Sequence, residues 1–287
     1  MIDPLRSQQD ALILRLTGQA RLIRRHILTM IHAAASGHPG GSLSAADILT
    51  ALYFHTLRID PRNPTWAERD RFILSKGHAC PVWYSCLAQR GFFPVEELVT
   101  LREIHSRLQG HPDMNKTPGV DMTTGSLGQG LSCACGAAYA ARLDGKQHRV
   151  FCIIGDGESN EGQIWEAALF AGHHKLDNLV AITDYNKLQI DGFTNDLLSL
   201  EPLLDKWRAF GWEVFEMDGH DWDAIYDTLQ AALAVRGKPS MIIAHTIKAK
   251  GCCVVENKPE SHNIKVPDQA TYDRYMCGLE CKFDLPY

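Results

Sequence analysis

The sequence lacks the features that mark several large classes of protein. Its apolar stretches are only a few residues long, whereas a membrane-spanning helix needs about 20. It also has no excess of basic residues, because 29 Lys and Arg stand against 34 Asp and Glu. Since nucleic-acid binders usually carry a basic patch or stripe, we expect no membrane span and no nucleic-acid partner.

Cysteine is present without the patterns that give it a structural role. The nine cysteines are an odd number and include no CxxC pair, which argues against a disulfide framework and a structural zinc site. The N-terminal residues lack the features of a secretory signal, namely a cationic start, a long apolar core and a cleavage site. We therefore expect reduced thiols and a cytoplasmic location.

The composition is that of an ordinary globular protein. Apolar residues make up 45% and charged residues 22% of 287 residues, enough for a sizeable core. Apolar positions three and four apart predict a long helix over residues 8–35. We expect a single domain over residues 1–287, with 1–35 as an N-terminal helix and 250–287 as a loop-rich extension.

Short apolar runs alternate with helical patterns along the chain. The predicted strands lie at 71–74, 150–154, 179–182, 212–215 and 241–244, and helices lie near 162–175, 200–210 and 222–236. Strands that are apolar on both faces indicate a parallel sheet covered on both sides. The expected fold class is α/β, a doubly wound parallel sheet with helices on both faces, and its ligands should bind beyond the carboxyl ends of the strands.

A break between two helices is predicted near the N-terminus. Residues 36–41, SGHPGG, are dense in helix breakers. Ser44 and Asp47 fit a capping box, which predicts that the second helix starts near Ser44.

The segment 155–162, GDGESNEG, follows a predicted strand and opens a helix. Its glycines would let the backbone approach a phosphate, and a helix N-terminus favours an anion. The segment is neither a P-loop nor the dinucleotide-binding GxGxxG, which argues against an ordinary dinucleotide enzyme.

Asp156 and Asn186 fall at the ends of successive predicted strands, about one β-helix-β unit of roughly 30 residues apart. One carboxylate and one amide oxygen suit Mg²⁺, which completes its shell with phosphate oxygens and water. The structural alternative is a helix cap at Asp156 and a turn at Asn186.

Among the 13 histidines, His38, His78 and His111 each lie in a predicted loop beside a glycine. Loops on a rigid scaffold commonly present catalytic groups, although each histidine alone could be a polar turn residue. Small residues between Ser132 and Ala140 predict a helix that packs closely, either inside the domain or at a subunit interface.

The chain resembles the transketolase family. The resemblance rests on GDG followed by Asn186, and on SGHPGGSLSAADILTALYF, SKGHA, GSLGQGL and HTIKAKG, in the family's order from about residue 12 to 265. It implies the thiamine-diphosphate-binding fold, and it implies thiamine diphosphate and Mg²⁺ as cofactors, with Ca²⁺ or Mn²⁺ as possible substitutes. One departure is Ser261-His262-Asn263, where the family usually has Trp-His-Gly.

The resemblance also implies roles for individual residues. Mg²⁺ would be held by the side chains of Asp156 and Asn186 and the backbone carbonyl of Leu188. The other cofactor contacts would come from His78, Gly125, Ser126, Leu127, Gly157, Asn186, Gln189, Lys248 and His262. The catalytic histidines would be His38, His78, His111 and His262. Lys76 either helps Lys248 to neutralise the diphosphate charge or is a surface lysine.

The implied reaction is the transfer of a two-carbon ketol unit from a ketose phosphate to an aldose phosphate. A complete transketolase carries two further domains, including the pyrimidine-binding half. The resemblance therefore implies a partner subunit, an activity that needs that partner, and a heterotetramer of two such pairs. Other thiamine enzymes stay open as alternatives, namely a 1-deoxyxylulose-phosphate synthase or the α subunit of a 2-oxo acid dehydrogenase, and so does a non-catalytic cofactor-binding remnant.

Overall fold

Five parallel strands form the centre of the structure, a computed structural model that describes residues 4–263, 266 and 268–282. The strands are β1 (Arg71–Leu74), β2 (Val150–Gly155), β3 (Leu179–Tyr185), β4 (Glu213–Asp218) and β5 (Ser240–His245). Their order in the sheet is β1-β2-β3-β5-β4, and every neighbouring pair is parallel. All carboxyl ends therefore lie at one edge.

Helices precede, connect and follow the strands. They are α1 (Pro4–Ala33), α2 (Pro39–Ser44), α3 (Ala46–Ala51), α4 (Cys80–Arg90), α5 (Gln129–Leu143), α6 (Gly162–His173), α7 (Thr194–Leu197), α8 (Leu203–Ala209), α9 (Trp222–Ala234) and α10 (Gln269–Lys282). Short 3₁₀ or π turns lie between several of them. Within the part of the chain that the structure describes, no helix is both long and apolar enough to cross a membrane.

The sheet separates two apolar cores because successive side chains of a strand point to opposite faces. In β2, Phe151 and Ile153 belong to one core, together with α1, α3, α4 and α9. Cys152 and Ile154 belong to the other core, with α5, α6 and α8. This arrangement confirms the predicted parallel sheet with helices on both faces, and all five predicted strands are present.

The helix expected near Ser44 is α3, which begins at Ala46. The expected break before it is wrong, because helix α2 begins at Pro39, inside the run of helix breakers. Proline is well suited to the first turn of a helix. Gly40 is needed there for close packing, because a Cβ atom on it would lie 2.6 Å from the carbonyl oxygen of Ser261. The capping box is also absent: Ser44 donates to Asp184, and Asp47 pairs with Arg24.

Only some of the small residues of helix α5 are buried inside the domain. Ala134 and Ala138 are buried in the second core, where α5 packs on α6 and β2. Gly136 and Ala140 are exposed. Packing inside the domain therefore accounts for one face of the helix, and the other face is open to solvent.

The C-terminal extension contains more regular structure than the expected loops. Helix α10 packs on α1, where the rings of Tyr272 and His32 stack with centroids 4.6 Å apart. The His32 Nδ1 atom lies 3.0 Å from the carbonyl oxygen of Val266. Residues 264–265, 267 and 283–287 of the expected extension lie outside the described residues.

Strand β4 lies at an edge of the sheet. It is the least buried of the strands and carries Glu213, Glu216 and Asp218, of which the last two are exposed. Charged residues are common on edge strands because they hinder pairing with another sheet.

We predict that Gly172→Ala destabilises the chain. A Cβ atom at Gly172 would lie 1.8 Å from the carbonyl oxygen of Phe210, which is backbone and cannot simply turn away. We expect the free energy of unfolding, measured by chemical denaturation, to fall by about 1–3 kcal/mol, as for other overpacking substitutions. In the control Gly136→Ala, the new Cβ meets nothing within 4 Å, so stability should hold or rise by up to about 1 kcal/mol. Equal effects of the two substitutions would contradict the close contact.

Candidate functional site

Loops that follow β1, β2, β3 and β5 surround one cavity at the carboxyl edge of the sheet. Its volume is about 420 Å³. The predicted site residues that line it are His78, Leu127, Asp156, Gly157, Asn186, Leu188, Gln189, Lys248 and His262. The cavity thus lies where ligands bind in open parallel sheets.

Asp156 follows β2 directly and is only 3% exposed. Its carboxylate accepts hydrogen bonds from the backbone N–H of Gly157, at 2.7 Å, and of Lys187. Burial, and then the nearby charge of Asp184, raise the pKa of Asp156 to about 7. Since its hydrogen-bond donors are neutral amides, a cation beside it would stabilise the ionised form.

The loop after β3 brings Asn186 and Leu188 close to Asp156 through the hydrogen bond from Lys187. Asn186 Oδ1 accepts from the Leu188 N–H at 3.1 Å. The described residues contain no group of three or more His, Cys, Asp or Glu side chains that could hold a metal. A cation here would rely on one carboxylate with amide and carbonyl oxygens, a set that suits Mg²⁺ when phosphate oxygens complete the shell.

Lys248 and Gln189 provide hydrogen-bond donors beside these oxygens. The Lys248 ammonium donates to the carbonyl oxygens of Leu188, at 2.8 Å, and Gln189, at 3.3 Å. Burial lowers the pKa of Lys248 to about 8, although Asp156 opposes this shift. Gln189 Nε2 is buried and has no hydrogen-bond partner among the described residues. Such a donor is stabilised when it meets an acceptor, and an anionic ligand in the cavity would supply one.

Gly157 keeps space open in this region. A Cβ atom on it would lie 3.0 Å from Gln189 Cγ. A side chain at position 157 would therefore press on Gln189 and narrow the approach to the backbone, in keeping with the role expected for this glycine.

Lys76 is buried at 3% exposure and is not the surface lysine that stood as one alternative. Its ammonium forms an ion pair with Asp184 and donates to the Gly41 carbonyl at 2.9 Å. Asp184 also accepts from Ser44 and Thr246. Sequence reasoning missed this role of Asp184, because the predicted strand ends at residue 182, whereas β3 continues through Asp184 to Tyr185.

Glu158 is a second buried acid that sequence reasoning did not select. Its carboxylate accepts from the Ser75 hydroxyl and from the backbone N–H groups of Gly128, at 2.8 Å, and Gly155, at 2.9 Å. These contacts join the ends of β1 and β2 to the segment 125–128. Glu158 therefore holds that segment beside the cavity.

His38, His78 and His262 come together although they are far apart in the chain. Their ring centroids are 5.2 Å (His38–His78), 5.3 Å (His38–His262) and 5.2 Å (His78–His262) apart. Burial lowers the pKa of His38 and of His262 to about 4 and that of His78 to about 2. Nearby cations add to the shift, so all three rings are neutral at neutral pH.

His111 lies at the outer side of this cluster and is exposed. It stands against Gly125, where an added Cβ atom would lie 3.1 Å from His111 Cδ2. Arg102 donates to the Ser36 hydroxyl, and its Nη2 atom lies 3.4 Å from His38 Nδ1. Partial desolvation of the ring, and then the charge of Arg102, lower the pKa of His111. Nothing in the sequence pattern distinguished Arg102 from a surface arginine.

The segment 125–127 is only partly in the cavity wall. Leu127 lines the cavity, whereas Gly125 and the exposed Ser126 do not. Two of the predicted catalytic histidines, His38 and His111, also lie outside the cavity wall. Gly77 allows the close approach of this segment, because a Cβ atom on it would lie 2.8 Å from the Gly125 nitrogen. The expected roles of Gly125 and Ser126 stay predictions.

Comparison with known sequences identifies similar proteins over nearly the whole chain. Residues 17–286 match the family described as "Transketolase, thiamine diphosphate binding domain". The chain is 53% identical over 251 residues to the 6-deoxy-6-sulfo-D-fructose transketolase subunit SqwG of Clostridium sp. (strain MSTE9), covering 88% of this chain and 91% of that protein. It is 46% identical over 250 residues to one subunit of the apulose-4-phosphate transketolase of Actinobacillus succinogenes, covering 87% of this chain and 90% of that protein.

Solved structures with a similar fold are also transketolases. Transketolase from Leishmania mexicana superposes with a TM-score of 0.87 at 31% identity, over 93% of this chain and 41% of that one. Transketolase from Campylobacter jejuni gives a TM-score of 0.84 at 34% identity, over 93% and 47%. The chain therefore spans less than half the length of these solved transketolases. The match in sequence and in fold shows that the chain belongs to the transketolase family and carries its thiamine diphosphate-binding domain.

Proposed function

We propose that the chain is the cofactor-binding subunit of a transketolase, which transfers a two-carbon ketol unit from a ketose phosphate to an aldose phosphate. The observation that carries this proposal is one cavity in which Asp156, Lys248 and Gln189 lie near three packed histidines. Relatives named as transketolase subunits have nearly the same length as the matched region. The pyrimidine-binding half would then come from a partner subunit.

Thiamine diphosphate and a divalent cation fit the donors and acceptors of the cavity. Asp156, Asn186 and the Leu188 carbonyl would hold Mg²⁺, or Ca²⁺ or Mn²⁺ in its place, and the unpaired Gln189 amide would meet a diphosphate oxygen. Lys248 would add positive charge beside that group. When bound, the thiazolium carbon of this cofactor supplies the carbanion for breaking and forming carbon–carbon bonds.

The histidine cluster would move protons on and off substrate oxygens. A neutral imidazole can donate through one ring nitrogen and accept through the other, and His38, His78 and His262 are neutral because burial lowers the pKa of each. His111, on the exposed side, would contact the substrate as it enters. His262 lies in the cavity wall, which supports its proposed place near the diphosphate. Its neighbours Ser261 and Asn263 differ from the family's Trp and Gly, but the histidine itself is present.

The proposed substrates are ketose and aldose phosphates. The named relatives include subunits of transketolases for 6-deoxy-6-sulfo-D-fructose and for apulose 4-phosphate. Both names describe sugars with an anionic group. Residues that select the sugar would lie mainly on the partner subunit.

We propose a heterotetramer of two such subunit pairs in the cytoplasm. Exposed apolar side chains at Leu143, Leu169 and Phe170, on the adjoining helices α5 and α6, offer a surface for subunit contact. Eight cysteines in the described part of the chain lie outside any disulfide, which is typical of a reducing compartment. The chain would act as a single diphosphate-binding domain within that assembly.

We predict that Asp156→Asn weakens the binding of thiamine diphosphate and Mg²⁺, measured by calorimetry, by about 10-fold or more, because a charged ligand becomes neutral. The chain without ligand should keep its fold, measured by circular dichroism, since the side chain keeps its size. Asp191 also lines the cavity but is exposed, so Asp191→Asn is the matched control. Unchanged cofactor affinity in Asp156→Asn would show that Asp156 is not the metal ligand.

We predict that the purified chain alone catalyses no ketose–aldose exchange. Activity should appear when a subunit with the pyrimidine-binding half is added, because that half completes the cofactor site. The same mixture made with Asp156→Asn should stay inactive. Robust exchange by the single purified chain would contradict the need for a partner.

We predict that acid destabilises the free chain through its neutral histidines. The unfolded chain takes up protons with a histidine pKa of about 6.5, whereas His38 and His262 do so only near 4 in the folded chain. The free energy of unfolding should therefore fall as the pH drops from about 6.5 to 4. In His262→Gln this fall should be shallower in chemical denaturation at a series of pH values, and an identical pH dependence would refute the shift.

A further inference from the structure

The segment 246–251 carries Lys248 in a conformation that it would not adopt by itself. Ala249 has a φ of +59°, in the left-handed region that costs a non-glycine residue about 1 kcal/mol or more. The surrounding structure holds this backbone, because the Ala249 N–H donates to the Gly40 carbonyl at 3.0 Å. The fixed backbone in turn determines where the Lys248 side chain starts.

Two further contacts fix the backbone on either side of Lys248. The Ile247 N–H donates to His220 Nε2 at 2.9 Å. The Lys250 carbonyl accepts from Arg24 Nε at 3.2 Å. His220 lies after β4 and Arg24 lies in α1, so both contacts come from outside the segment.

Asp47 joins these two residues into one buried network. Its carboxylate accepts two hydrogen bonds from Arg24, both at 2.7 Å. Its Oδ2 atom lies 2.8 Å from His220 Nδ1. Because His220 Nε2 accepts from a backbone amide, it has no proton, and Nδ1 carries the proton that is donated to Asp47. The carboxylate therefore selects the tautomer that can hold Ile247.

We propose that His220, supported by Asp47 and Arg24, is a positioning residue that sets where the Lys248 ammonium lies in the diphosphate site. The three residues do not line the cavity, so they act through the backbone of 247–250. The proposal rests on the proposed function, because that function places the diphosphate beside Lys248. Partners behind a metal ligand commonly change metal affinity by about 10–100-fold when they are removed, and we expect a comparable effect on cofactor affinity here.

Two substitutions at position 220 distinguish the hydrogen bond to Asp47 from the hydrogen bond with the Ile247 N–H. His220→Asn places an amide donor near Asp47 but removes the acceptor for Ile247. His220→Gln places a carbonyl oxygen near the Nε2 position and keeps that acceptor. The control is His148→Asn, since the side chains of both histidines are largely shielded from solvent. His148 precedes β2, at the amino-terminal ends of the strands and away from the cavity.

The first measurement is amide hydrogen exchange of the full chain without cofactor. We expect exchange in residues 246–251 to speed up by about 10-fold or more in His220→Asn, with protection largely kept in His220→Gln and in the control. Unchanged exchange in a folded His220→Asn chain would overturn the proposal, whatever the cofactor does. If His220→Asn does not fold, loss of protection in a folded His220→Gln chain would overturn it.

The second measurement is calorimetric binding of thiamine diphosphate with Mg²⁺ in a double-mutant cycle. His220→Asn should raise the Kd by about 10-fold, and Lys248→Met should raise it at least as much. In the Lys248→Met background, His220→Asn should add no further loss, because its effect passes through Lys248. Additive losses would mean a purely structural role and would overturn the proposal. A wild-type chain that binds no cofactor would instead count against the proposed function, and the exchange result would still decide the backbone contact.

Discussion

The buried ion pair between Lys76 and Asp184 fixes the edge of the sheet on which the site is built. Lys76 follows β1 and Asp184 belongs to β3, so the pair spans β2, whose end carries Asp156. Burying two charges is costly unless hydrogen bonds satisfy them, and Ser44, Thr246 and the Gly41 carbonyl do so here. The same contacts bring α2 and the loop after β5 to this edge.

Three buried acids at this edge differ in how their charge is compensated. Asp184 has the Lys76 ammonium, which lowers its pKa although burial alone would raise it. Glu158 has one hydroxyl and two backbone amides and serves to hold the segment 125–128. Asp156 has two amides and a pKa raised to about 7. Of these three, Asp156 is the acid whose charged form gains most from a divalent cation.

Much of the fold could be predicted from the sequence because its signals are local. Apolar runs predicted the strands, since a strand buried on both faces is composed mostly of apolar residues. The GDG segment and Asn186 pointed to the cavity, because strand ends in a parallel sheet lie together. The predicted capping box failed for a long-range reason: Ser44 and Asp47 bond to Asp184 and Arg24, which no local pattern contains.

The parts of the site that were missed depend on tertiary contacts in the same way. For Lys76 the sequence left two roles open, a balance for the diphosphate charge and a surface lysine, and no motif marked Arg102. Only the partners of these two residues show that both lie at the site. The packing of three histidines could be suspected from their glycine-rich loops, but their neutrality follows from burial in the folded chain. The motifs thus predicted where the cavity lies, whereas its ion pairs and the protonation states of its histidines follow only from the folded structure.

The acidic edge strand β4 limits how copies of the chain can join. Glu216 and Asp218 are exposed on this strand, so two such edges brought together would repel each other. Extension of the sheet from one molecule into the next is therefore disfavoured along β4. The charge on β4 therefore opposes growth into open-ended fibres through this edge.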